Sequence, residues 1–113
     1  YLPQSKVYKA CCALGPVLVT VDEIPDPYNL EMSCTIVRNG QITFAGSVST
    51  NQLRRKIEDL VNCLVQCNPV PTATVILTGT GIIVTQEAAL IPGDIVTIEV
   101  PEIGRLVNPT ILV

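Results

Sequence analysis

A chain of 113 residues, 48% hydrophobic and 15% charged, is long enough for one packed domain and too apolar to stay disordered. Its net charge of −3 leaves no broad basic surface to neutralise phosphates, which argues against nucleic acid as a partner. No apolar run approaches the roughly 20 residues of a membrane helix, and no charged start leads into an apolar signal core, so no membrane contact is expected.

Five cysteines, an odd number with Cys11 and Cys12 adjacent, fit a disulfide framework poorly. A reduced, cytoplasmic setting is the simplest reading, with most of the thiols serving as small buried hydrophobes. The chain opens on Tyr1 rather than Met, which suggests a cleaved or excised piece.

In chain order, residues 17–21 read as a short buried strand ended by Pro25 and Pro27, since proline cannot donate to a ladder. A strand over 30–38 meets Asn39-Gly40, the residue pair suited to the positive φ angles of a tight hairpin, and 41–48 returns antiparallel. Ser49 with Gln52 makes a capping box that opens the one main amphipathic helix, about 50–67. Leu53, Ile57, Leu60, Val61 and Leu64 recur on one face of that helix, and Asn68-Pro69 ends it. This stripe is expected to pack against a sheet. Strands are then expected over 73–78 and 82–85, a turn at Pro92-Gly93-Asp94, an alternating strand over 95–100 and a short strand over 104–107. The pattern predicts an α+β domain with antiparallel or mixed sheets, the whole chain 1–113 forming one domain.

Lys9 is the first candidate for chemistry. Its neighbours Tyr8, Ala10, Cys11, Cys12 and Ala13 are small or apolar, which would place the ammonium at a sheltered edge. There a lysine can hold a carboxylate, polarise a carbonyl or move a proton. The plain alternative is a solvated surface lysine, and Lys6 is a rival in a more polar setting. Thr78-Gly79-Thr80-Gly81 is the second candidate: it follows an apolar run, glycine permits close approach of backbone to a ligand, and threonine both donates and accepts. No Gly-Lys-Ser/Thr follows, so it is not a phosphate loop, and a simple turn is the alternative.

The remaining motifs read as structural. Cys63 and Cys67 lack the further ligands of a zinc site, and the absence of histidine removes any Ser-His-Asp or Cys-His dyad. Arg54-Arg55-Lys56, followed at once by Glu58 and Asp59, reads as the solvated helix face or an oligomer contact. Glu99 and Glu102 do not converge across Pro101, and Asp22, Glu23 and Asp26 sit on a proline-fixed turn where Asp26 can accept from backbone N–H groups.

Several segments, taken in order, carry a resemblance to a known family. These are Gly15-Pro16, Asp22-Glu23-Ile24-Pro25-Asp26-Pro27, Asn39-Gly40, Ser49-Thr50-Asn51-Gln52-Leu53, Thr78-Gly79-Thr80, Leu90-Ile91-Pro92-Gly93-Asp94 and Ile103-Gly104-Arg105-Leu106-Val107-Asn108-Pro109. Together they resemble the C-terminal part of the catalytic domain of the fumarylacetoacetate hydrolase family. Tyr1-Leu2-Pro3-Gln4-Ser5-Lys6, Tyr8-Lys9-Ala10-Cys11-Cys12-Ala13 and Arg54-Arg55-Lys56-Ile57-Glu58 resemble the family's archaeal 2-keto-3-deoxy-D-arabinonate dehydratases.

The resemblance implies a β-rich fold and a lyase, a dehydratase acting on a 2-keto-3-deoxy sugar acid. It implies a magnesium-type ion (magnesium, manganese or calcium) chelated by the 2-oxo acid and held by a Glu-x-Glu pair and an aspartate. It assigns Lys9 as the lysine near the substrate and Thr80, with the Gly79 backbone, as the loop that grips it. This chain contains no Glu-x-Glu, so the metal ligands are expected upstream of Tyr1, and the chain alone is expected to hold no metal and to be inactive. Two alternatives stand beside this reading: a C–C hydrolase of acylpyruvate or fumarylacetoacetate type, and a non-catalytic β-rich binding or assembly module. A homo-oligomer, dimer or tetramer, is expected.

Overall fold

The computed structural model describes residues 7–113; the expectations that fall on residues 1–6, including Lys6 as a rival to Lys9, lie outside them. Strands β1 (Glu31–Arg38) and β2 (Gln41–Ser49) form the hairpin that Asn39-Gly40 foretold. Asn39 at φ 51° and Gly40 at φ 78° are both left-handed, as a two-residue turn matching the strand twist requires. Strands β3 (Ile95–Val100) and β4 (Gly104–Pro109) complete a four-stranded sheet of order β2-β1-β3-β4. Among the described residues every pairing is antiparallel, which decides between the antiparallel and mixed sheets that the sequence left open. Both sequence-adjacent pairs are joined by short hairpin turns, and a parallel neighbour would need a long crossover.

The register sorts the side chains onto two faces. Met32, Cys34 and Ile36 of β1 stand opposite Val48, Gly46 and Phe44 of β2. Cys34 and Ile36 also face Ile98 and Val96 of β3. This face carries the core, in which Leu30, Cys34, Ile36, Ala88 and Val100 are buried. The reverse face carries Ser33, Thr35, Ala45, Ser47, Thr97 and Glu99, the polar half of the alternation. A bulge at Ile36/Val37 leaves Thr43 unpaired in the ladder, and its hydroxyl donates to the Ile36 carbonyl at 3.2 Å.

Arg38 lies on the core side of β1, two residues beyond Ile36, and has to be paired. Its Nε and one terminal nitrogen donate to the two carboxylate oxygens of Asp94 at 2.9 and 2.8 Å, and that nitrogen also donates to the Ala89 carbonyl at 2.8 Å. Asp94 is 1% exposed, and Ile91 N–H also donates to it at 3.0 Å. The Asp94 carbonyl accepts from Thr110 N–H at 2.8 Å, and Gly93 N–H donates to the Thr110 carbonyl at 2.9 Å. One residue thus joins three places: its carboxylate takes the end of β1 and the segment before β3, and its carbonyl takes the residue after β4. The sequence suggested the Pro92-Gly93-Asp94 turn but not this partner.

Several local expectations are corrected. Residues 17–21 are not a strand: the chain is extended without a ladder and then forms a 3-10 turn at Val21–Glu23. Residues 73–78 and 82–85 likewise join no ladder: Ala73, at φ 65°, belongs to a turn closed by Thr74 N–H donating to the Pro71 carbonyl, and the rest lie outside the sheet. The sheet's edges are β2 and β4, and Ile82 lies against the face of β2 at Gly46 rather than along its edge. Apolar alternation cannot separate a paired strand from an extended segment laid across one.

The helix expected over 50–67 is shorter, α1 at Ile57–Val65. Ser49 Oγ accepts from Asn51 N–H at 3.3 Å and caps a separate 3-10 turn, Thr50–Gln52, not the helix. Leu53 is extended there, at ψ 113°, and breaks the run. The apolar stripe is only half-buried at Leu53, Ile57, Leu60 and Leu64, and Val61 is exposed, so it is not sealed against the sheet. All five cysteines are free thiols, but only Cys34 is buried; Cys11, Cys12, Cys63 and Cys67 are exposed.

The Arg38 guanidinium, followed by the Ile91 N–H bond, holds the Asp94 carboxyl down to about 2 from its ordinary 3.8. The folded value lies below the unfolded one, so the stabilisation is complete above about pH 3.8 and is lost as pH falls through about 2. Urea midpoints measured across that window should fall with acid in the parent chain and fall less steeply in Asp94→Asn. Identical slopes would remove the assigned role of this carboxylate.

Candidate functional site

Between β2 and the segment leading into α1 lies a cleft of about 420 Å³, within the size range of small-molecule sites. Val48 and Met32 form part of its apolar wall, with Leu53 and Leu60. Its polar wall comes from two places: Ser49, Thr50 and Gln52 with Arg54 and Arg55, and the loop Thr78-Gly79-Thr80-Gly81. The structure therefore brings Gly79 and Thr80 to the rim of a cavity.

Glycine makes this approach possible. A Cβ at Gly81 would meet Val48 Cγ2 at 2.8 Å, and one at Gly46 would meet Ile82 Cγ2 at 3.3 Å. The loop therefore rests on the face of β2 at two positions that have no side chain. Gly79, at φ 108°, has open space around the missing Cβ, so its backbone is accessible. Thr80 Oγ donates to the Ile82 carbonyl at 3.1 Å and accepts from Ile82 N–H at 3.2 Å, a local turn that fixes the hydroxyl beside Gly79.

The other wall is placed by Tyr28. Asp26 Oδ1 accepts from Tyr28 N–H at 2.9 Å, so the acidic proline turn is structural, as its sequence implied, and it orients the ring. The Tyr28 hydroxyl accepts from Ile57 N–H at 2.8 Å and donates to the Glu58 carboxylate. A phenol distant in sequence thus satisfies the first turn of α1, where Lys56 at the N-cap offers no side-chain bond. The Glu58 partner pushes the Tyr28 hydroxyl pKa up, and the same bond holds the Glu58 carboxyl below its usual range. Lys56 Nζ sits 4.3 Å from the centre of the Tyr28 ring. Only the tyrosine that follows the Pro25/Pro27 turn hinted at this bond in the sequence.

Lys9 stands in a turn closed by Cys11 N–H donating to the Tyr8 carbonyl at 3.2 Å, with Ala10 at φ 59°. It is exposed, as are its neighbours Val7 to Ala13, and it is not among the residues lining the cleft. The sheltered setting expected from its apolar flanks is not formed by the described residues. Arg54 and Arg55 precede α1, so they do not lie on a helix face, and both line the cleft.

Among the described residues no three His, Cys, Asp or Glu side chains converge to hold a metal ion, so these residues do not by themselves fit a divalent cation. No helix of the described residues is long and apolar enough to cross a membrane.

Gly81→Ala should force the loop off Val48, because the stiff β-branched side chain cannot swing away, and destabilise the chain by about 1–3 kcal/mol. Adding Val48→Ala should restore part of that loss. Equal chemical-denaturation midpoints for Gly81→Ala and the parent would show that the loop does not bear on β2.

Comparison with known proteins bears on the family and the fold. The family model described as fumarylacetoacetate (FAA) hydrolase C-terminal matches residues 2–111. The chain is 50% identical over 109 residues to 2-dehydro-3-deoxy-D-arabinonate dehydratase of Saccharolobus solfataricus, covering 96% of this chain and 37% of that protein. It is 43% identical over 108 residues to a probable 2-keto-3-deoxyxylonate dehydratase of Haloferax volcanii, again covering 96% and 37%. The human mitochondrial oxaloacetate tautomerase FAHD2A is 36% identical over 110 residues, covering 94% of this chain and 34% of that protein. A solved 2-keto-3-deoxy-D-arabinonate dehydratase, complexed with magnesium and 2,5-dioxopentanoate, superposes with a TM-score of 0.94 at 50% identity, covering 96% of this chain and 39% of that one. The chain spans a little over a third of the length of these relatives. A family match along nearly the whole chain, with the same fold in a solved relative, shows that this chain belongs to the fumarylacetoacetate hydrolase family.

Proposed function

We propose that this chain is a C-terminal part of the catalytic domain of a dehydratase that removes water from a 2-keto-3-deoxy sugar acid such as 2-keto-3-deoxy-D-arabinonate. The observation that carries the reading is the 50% identity and common fold with a dehydratase solved with magnesium and 2,5-dioxopentanoate. The cleft lined by Thr78-Gly79-Thr80-Gly81 supports it, since loop and cavity coincide.

In this reaction a proton leaves C3, beside the keto group, and the C4 hydroxyl departs with a proton as water. Lys9, which is exposed and not among the residues lining the cleft, is assigned by the family resemblance alone to position the substrate or take the C3 proton. The Thr80 hydroxyl, whose present partners are both on Ile82, turns toward a substrate oxygen, and the Gly79 backbone donates beside it. The divalent ion of the reading (magnesium, with manganese or calcium as alternatives) would need ligands beyond the described residues, among which no three His, Cys, Asp or Glu side chains converge. When bound, it supplies acidity to the C3 proton by drawing charge onto the keto oxygen. Five unpaired thiols support a reducing, cytoplasmic setting.

In the intact enzyme, Lys9→Ala and Thr80→Val should each lower turnover of a 2-keto-3-deoxypentonate by roughly 100-fold or more, and Lys9→Ala should do so without shifting the melting temperature. Near-normal turnover in both would end the assignment. Activity on acylpyruvates in place of sugar acids would favour the C–C hydrolase.

Leu18, Val21, Leu77 and Ile83 are among the exposed apolar side chains of this chain. We therefore also propose self-association into a dimer or tetramer. Sedimentation at increasing concentration should show assembly; a monomer throughout would contradict it.

A further inference from the structure

We propose that Arg54 and Arg55 are specificity-determining residues of the cleft, holding the oxygen-rich tail of a polyhydroxy 2-oxo acid whose keto-acid head lies at the Thr78-Gly79-Thr80-Gly81 loop. The inference rests on the functional reading above and adds the part of the ligand that reading leaves unheld. Three observations converge on these residues.

The first is position. The pair lies between the 3-10 turn Thr50–Gln52 and α1, on a stretch fixed at one end by half-buried Leu53 and at the other by the Tyr28 bond to Ile57 N–H. Both arginines line the same cleft as the loop. A stretch held at both ends presents its side chains from a defined place without being part of a helix face.

The second is charge. No aspartate or glutamate lines the cleft, and two guanidinium groups do, in a chain whose net charge is −3. A cavity walled by one sign of charge, on a surface of the opposite sign, concentrates small counter-ions. The ligand class this selects is a small organic anion.

The third is free donors. Arg38 is committed to Asp94 and Ala89, and Lys56 sits over Tyr28. Arg54 and Arg55 make no ion pair and no side-chain hydrogen bond among the described residues, and both are exposed. Each guanidinium carries five N–H donors and no acceptor, so it suits hydroxyl and carbonyl oxygens. The opposite rim supplies threonine hydroxyls and glycine backbone, which suits the keto-acid end. A sugar acid presents both kinds of oxygen at the separation of its own carbon chain.

The test is a binding titration of the intact protein with two probes: a 2-keto-3-deoxypentonate, and pyruvate, which has the keto-acid head and no tail. In the double variant Arg54→Ala/Arg55→Ala the sugar acid should bind roughly tenfold or more weakly, the loss expected for charged hydrogen bonds to a ligand. Pyruvate shares the attraction of its carboxylate to the two charges but none of the tail contacts, so its affinity should fall several-fold less than that of the sugar acid. Equal weakening of both probes, unchanged sugar-acid binding, or parent protein that binds neither probe would each overturn the inference. Should the alanine variant fail to fold, Arg54→Lys/Arg55→Lys keeps the charge and removes the planar fork. It should lose affinity for the sugar acid alone, and an unchanged affinity would overturn the inference equally. Turnover is read separately: no dehydration with tail-dependent binding intact removes the proposed function and leaves this inference standing.

Discussion

The guanidinium of Arg38 and the carboxylate of Asp94 form the contact on which the sheet depends. A carboxylate with 1% of its surface exposed has lost its water and has to be fully bonded by protein. Two nitrogens of a planar fork and one backbone N–H supply that here. A lysine could provide charge but not the paired geometry. Because the Asp94 carbonyl also accepts from Thr110 N–H, the same residue fixes both ends of the β3–β4 hairpin against the end of β1. The charge on the inner face of β1 is where the three meet.

From that fixed sheet the cleft follows by short steps. The register sets Phe44, Gly46 and Val48 on the inner face of β2. Glycine at 46 and at 81 lets an unpaired extended segment lie directly on that face. Tyr28, oriented by the Asp26 turn, holds the start of α1 from a distance. One wall is thus a loop resting on a strand, and the other is a linker held by a phenol. Met32, Val48 and Leu60 bring β1, β2 and α1 to the apolar wall, while the polar groups stand on irregular segments positioned by contacts between residues well separated in sequence. Loops carried on a rigid scaffold are where binding residues are usually found.

The division of chemistry follows from what this chain offers. It presents hydroxyls, backbone donors and two arginines around a cavity, with no cluster of metal-ligating side chains among the described residues. Such a set can bind and orient an anionic, oxygen-rich molecule. In the proposed dehydratase it is the substrate-gripping wall, and the pull of electrons toward the keto oxygen comes from elsewhere.

The family, the α+β class, the hairpin and the candidate loop were legible in the sequence because each rests on local information. Asn39-Gly40 specifies positive φ angles, period-two alternation specifies a strand face, and motifs kept in order specify a lineage. The bounds of the helix were not legible: Ser49 and Gln52 look like a capping box whether they open a helix or a 3-10 turn, and the helix starts instead at Ile57, whose N–H is met by a phenol far upstream. Nor were the apolar segments 17–21 and 73–85 separable from paired strands, since alternation reports a half-buried extended chain and not its hydrogen-bond partner. Residue order was enough to say which positions could pair, turn and bury. It took the folded chain to bring Arg38 to Asp94, Tyr28 to the start of α1, and Arg54 and Arg55 to the cleft that Thr80 lines. Each of these joins distant residues whose meeting depends on how the whole sheet is arranged.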